Sequence, residues 1–143
     1  MIRKLSVIFL FCLSACTSMK EMRLEQVLNE SEMLFEEKRY SEAMTACSEA
    51  EALAHRLDDQ FSLGKTYRIM AHISNAAYRY QDEIQYLKMA SEAFANAEKP
   101  YNRLYVDLEK GMAYYNVSDY ASAEKVYRDV LYEAYEVSDT ALQ

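Results

Sequence analysis

Laid over itself with a shift of 40 residues, the chain matches in register, and that self-similarity restricts its fold more than any other feature. Arg39-Tyr40 recurs as Arg79-Tyr80, and Tyr120 completes the series. Ser31, Ala71 and Gly111 are all small. Ala50, Ala90 and Val130 line up, as do Cys47, Leu87 and Tyr127. Three repeats follow, spanning 24–63, 64–103 and 104–143. A unit of this length cannot bury an apolar face alone, so the repeats must stack.

Inside each repeat the apolar spacing is helical, at i, i+3, i+4 and i+7. Val27, Leu34 and Phe35 lie near one face, and Met44, Cys47, Ala50 and Ala54 on another. Breaks fall near Lys38–Ser41, Tyr78–Gln81 and Ser118–Ala121. The 143 residues include only two glycines and one proline. That poverty excludes Gly-rich phosphate loops and multi-strand sheets, which need turn residues. Asp58-Asp59 is placed to cap a following helix, and Pro100 suits a helix's first turn. The expected architecture is all-α, a solenoid of three antiparallel helix hairpins. Its helices fall at about 22–37 with 41–56, 60–77 with 81–97, and 101–116 with 120–137.

The N-terminus reads as an address. Met1 to Cys16 joins a basic pair, Arg3 and Lys4, to an apolar run too short to span a bilayer permanently. Residues 1–15 are therefore read as a signal peptide. Leu13-Ser14-Ala15-Cys16 resembles the bacterial lipobox, which implies cleavage before Cys16 and acylation of its thiol. Residues 16–23 then form the lipidated cysteine and a short tether, anchoring a periplasm-facing chain to a membrane. Thr17 follows the cysteine where an Asp would mark inner-membrane retention, so the outer membrane is expected. Cys47 alone keeps a free thiol, and no intrachain disulfide is expected.

The repeats resemble the tetratricopeptide repeat (TPR) on Ser31…Tyr40-Ser41-Glu42-Ala43…Cys47…Ala50 and Gly111…Tyr114…Tyr120-Ala121-Ser122-Ala123…Tyr127. The 40-residue period exceeds the usual 34 and looks like long-helix TPR variants. Glu83 departs from the pattern by occupying the small position of the middle repeat. A one-residue slip there would bring Ile84 into the core instead. The resemblance implies a concave groove lined by the first helix of each hairpin. Its positions map onto Glu25, Leu28, Glu32 and Phe35, then Lys65, Arg68, His72 and Asn75, then Tyr105, Leu108, Met112 and Tyr115. Arg68 with Asn75 is expected to hold a carboxylate or backbone amide, both being donors on one helical face. Tyr105, Met112 and Tyr115 are expected to supply an apolar anchor.

The implied function is a non-enzymatic scaffold that binds a peptide or protein segment. A sensor segment at the start of a longer signalling protein is the alternative. No H-E-x-x-H, C-x-x-C, G-x-x-x-x-G-K or G-x-G-x-x-G motif occurs, so no cofactor or metal is expected. Cys47 and His55 lie eight residues apart, about 80° out of line on one helix, which argues against a nucleophilic pair. A net charge of −7 and no basic stripe argue against a nucleic-acid partner. Asp139–Gln143 falls in register with Asp59–Leu63, which begins a helix, so a longer array is expected. Self-association through an uncapped C-terminal hairpin, or a tail that folds back, are the other readings.

Overall fold

The computed structural model describes the backbone of residues 2–141 and the side chains of residues 18–137. Six helices follow one another: α1 (Ile2–Glu36), α2 (Tyr40–Leu57), α3 (Gln60–Ala76), α4 (Tyr80–Asn96), α5 (Pro100–Asn116) and α6 (Tyr120–Ala141). Each packs on the next, and α1 also touches α3, so three hairpins stack in sequence order. The solenoid expected from the period is the fold observed. No helix among the described residues is long and apolar enough to cross a membrane.

Two ends differ from the sequence reading. The first helix does not begin near residue 22, but runs unbroken from Ile2. No glycine or proline interrupts residues 2–36, so no residue imposes a stop. At the other end, α6 continues as helix to Ala141 instead of stopping near 137 for a new start at Asp139. The side chains of Cys16 and of residues 138–143 lie outside the described ones, so the lipidation reading rests on sequence.

The chain turns every 20 residues without glycine. Lys38, Asp58, Tyr78, Glu98 and Ser118 all take positive φ, between 54° and 62°. At each turn the next residue's N–H donates to a carbonyl five positions back, as from Arg39 to Leu34 at 2.9 Å and Lys99 to Phe94 at 2.9 Å. This closure satisfies carbonyls that the helix end leaves open. A side chain in the left-handed region costs about 1 kcal/mol or more, which glycine avoids. Glu98→Gly is therefore expected to stabilise the protein by about 0.5–1 kcal/mol in urea unfolding. A loss of stability would show that the Glu98 side chain holds the turn. The next helix starts on a cap at two turns, where Asp59 Oδ1 accepts from Ser62 N–H at 2.9 Å and Asp119 Oδ1 from Ser122 N–H at 3.1 Å. Of the expected capping pair, Asp59 caps α3 while Asp58 closes α2.

The small residues of the period have a visible purpose. Cys47, Leu87 and Tyr127 grow along the array, while Ser31, Ala71 and Gly111 shrink at the matching places. Gly111 sits against the Tyr127 ring, so close that a Cβ would overlap it. The missing side chain at Gly111 thus makes room for the large ring at Tyr127, as close packing demands. In the middle repeat no slip occurs. Glu83 and Ile84 are both buried, and α4 starts at Tyr80 as α2 starts at Tyr40.

Candidate binding groove

The first helices of the three hairpins, α1, α3 and α5, form one face. A cavity of about 680 Å³ opens there, with Phe35, Arg68, His72 and Tyr105 among its lining residues. Glu32 and Glu36 come from α1, Lys65 from α3, and Tyr101 and Asn102 from α5. Four of the eight protein-binding residues expected from sequence thus meet at one opening. Three more, Leu108, Met112 and Tyr115, continue along α5 as exposed apolar surface, 43%, 60% and 60% accessible. Tyr115 stands edge-on to Tyr120, with ring centroids 5.2 Å apart. Leu28, mapped to the groove by the repeat pattern, is instead in the core.

Arg68 and Asn75, expected to hold a carboxylate or backbone amide, each hold a carboxylate of the chain itself. Arg68 donates from Nε and one terminal nitrogen to both oxygens of Glu109, at 3.0 and 2.9 Å. Its guanidinium also stacks over the Tyr105 ring, 4.6 Å from the centroid. His72 Nε2 lies 3.1 Å from the same Glu109 carboxylate, and its ring is 5.9 Å from that of Phe35. Asn75 Nδ2 donates to Glu83 Oε2 at 2.9 Å. Both donors that sequence reasoning left open are therefore already bound within the protein. The two carboxylates that bind them were missed, although the period carried a signal for one. Glu109 stands 41 residues after Arg68, one repeat displaced by a single position, and 37 after His72, one repeat less three positions.

Electrostatics set the two carboxylates apart. Burial acts to raise Glu109, but hydrogen bonds from His72 and Arg68 outweigh it and hold the carboxyl below its ordinary value. Burial raises Glu83, and the Asn75 hydrogen bond offsets only part of that rise. A carboxyl raised in this way binds a proton more readily in the folded chain than in the unfolded one. It favours the folded state below the ordinary carboxylate range, and that benefit is lost as pH rises through the native pKa. Glu83→Gln, which keeps an acceptor for Asn75, is expected to stabilise the protein more at about pH 8 than at about pH 4. Equal effects at both pH values in denaturant unfolding would refute this.

Cys47 is fully buried, and burial pushes its thiol up to about 11, so it packs as a small apolar residue and not as a thiolate. His55 is exposed on α2, with Nε2 3.3 Å from the Tyr67 hydroxyl. No group of three His, Cys, Asp or Glu side chains among the described residues could hold a metal ion.

Neither a protein-family model nor a curated protein sequence matches the chain. A solved structure does: the TPR domain of FLU from Arabidopsis superposes with a TM-score of 0.73 at 19% identity. The match covers 82% of this chain and 98% of that one. The fold is a TPR-like α-solenoid.

Proposed function

We propose that this chain is a lipid-anchored, non-enzymatic scaffold of the bacterial envelope that holds a peptide or protein segment on the face formed by α1, α3 and α5. One observation carries the binding reading. A cavity of about 680 Å³ lies beside a run of exposed apolar side chains, Leu108, Met112 and Tyr115, on α5. Exposed apolar surface beside a concavity is the usual mark of a docking site. The TPR-like fold adds support, because stacked hairpins create extended binding surfaces. The anchor rests on the Met1–Cys16 leader and its lipobox, and the outer membrane on Thr17.

The test combines two substitutions in the native host. Cys16→Ser is expected to move the protein from the membrane fraction to the soluble one, and full retention would overturn the anchor. A photo-crosslinking residue placed at Met112 or Tyr115 is expected to give a discrete protein adduct, and the same residue at exposed Glu92 on α4 none. Identical patterns from both faces would overturn the groove.

A further inference from the structure

Two rails of opposite chemistry run along α1 and α5 and meet at the groove, where Glu32 and Glu36 line the same cavity as Tyr101 and Tyr105. On α1, Glu21, Glu25, Glu32 and Glu36 are all exposed and fall within about 60° of one another around the helix. None of the four has a hydrogen bond or ion pair among the described residues, although Glu32 acts electrostatically on Arg68, and Arg23, on another side of α1, is engaged by Glu49. Glu32 and Glu36 line the cavity directly. On α5, Tyr101, Tyr105, Leu108, Met112 and Tyr115 fall within about 80° and are each exposed. Each rail runs about 20 Å along its helix axis, at 1.5 Å per residue.

The floor between the rails offers little positive charge. Arg68 is neutralised by Glu109 and covers Tyr105. Lys65 leans over the Phe61 ring, 5.6 Å from its centroid, and is one cation lining the cavity with the Glu32 and Glu36 carboxylates. An anionic ligand therefore meets no free clamp, and a uniformly cationic one leaves the α5 rail uncovered. Charge complementarity on one side and apolar burial on the other describe a two-faced occupant.

We propose that the groove selects an amphipathic helix of about fourteen residues, with Lys or Arg along one side and apolar residues along the other, the length matching the rails at 1.5 Å per residue. Its cations lie against Glu32 and Glu36, and its apolar side covers Tyr105, Met112 and Tyr115. The inference rests on the groove reading above and specifies its ligand.

The experiment uses fluorescence anisotropy with the full chain held in nanodiscs of zwitterionic lipid. One labelled 14-residue probe carries Lys on one helical side and Leu and Phe on the other. A second probe replaces every Lys by Glu. The Lys probe is expected to bind at least about tenfold more tightly, with the difference shrinking at high salt. Glu32→Gln with Glu36→Gln is expected to weaken it about fivefold, as does Met112→Ser with Tyr115→Ser. All four side chains are exposed, so these variants keep the fold. Tighter binding of the Glu probe, abolished by Arg68→Ala, would overturn the charge assignment and leave the groove standing. Binding that ignores both pairs of substitutions, or binding of neither probe, would overturn this inference and the groove reading with it.

Discussion

Gly64→Ala is expected to destabilise the protein by about 2 kcal/mol, although alanine is the better helix former. Gly64 lies in α3, where a Cβ would come within 2.7 Å of two carbons of the Phe94 ring. Phe94 is only 2% exposed and packs on Phe61 with ring centroids 5.8 Å apart, so moving its ring costs buried packing. The overlap must be relieved by moving α3 away from α4, which loosens the middle hairpin. Helix propensity returns about 1 kcal/mol and does not cover that cost. Gly111→Ala supplies the contrast. Its Cβ would also overlap the Tyr127 ring, but Tyr127 is 37% exposed and has room to turn outward. Its net effect is expected to be the smaller of the two. Urea unfolding of both variants checks the pair, and Phe94→Leu in the Gly64→Ala background should recover part of the loss. A Gly64→Ala protein as stable as its parent would refute the argument.

Glu109→Gln is expected to change both stability and ligand preference. The carboxylate holds Arg68 through two oxygens and His72 through one, and is itself largely covered. Removing its charge leaves a half-buried guanidinium with a neutral neighbour. A loss of about 1–2 kcal/mol follows, reduced by the water that reaches Arg68. The loss is confined to pH above the native Glu109 pKa. Glu109 is held below its ordinary value, so the pairing contributes fully above the ordinary carboxylate range and fades as pH falls through the lowered one. The freed Arg68 should then behave as the anion clamp that the wild-type groove lacks. An acidic amphipathic peptide is expected to bind Glu109→Gln about tenfold more tightly than wild type. An unchanged affinity would show that Arg68 stays unavailable for some reason other than Glu109.

Much of this architecture was legible from particular residues. The tyrosines at 40, 80 and 120 mark the starts of α2, α4 and α6, and Pro100 opens α5. The turns at Lys38, Tyr78 and Ser118 fall where the repeat pattern breaks, at one place in the period, and those at Asp58 and Glu98 lie half a period away. The groove was legible in outline, since Phe35, His72, Arg68 and Tyr105 do share one opening. The partners of Arg68 and Asn75 within the chain were not legible there. Both residues look like free donors along α3, and their acceptors come from α5 and α4. Glu83 was misread for a similar reason. A charged residue at a small position suggests a register slip, yet Asn75 and a raised pKa allow it to stay buried.

The sequence by itself determined the helices, their period and the order in which hairpins stack. Those properties depend on neighbours within about four residues along the chain and on an apolar stripe repeated at fixed spacing. Tertiary structure alone decided which charges remain open. Glu109 cancels Arg68 across one repeat, while the four glutamates on α1 have no hydrogen bond or ion pair among the described residues. Pairing of that kind depends on distance and burial between helices some 40 residues apart, and neither exists until the hairpins have packed.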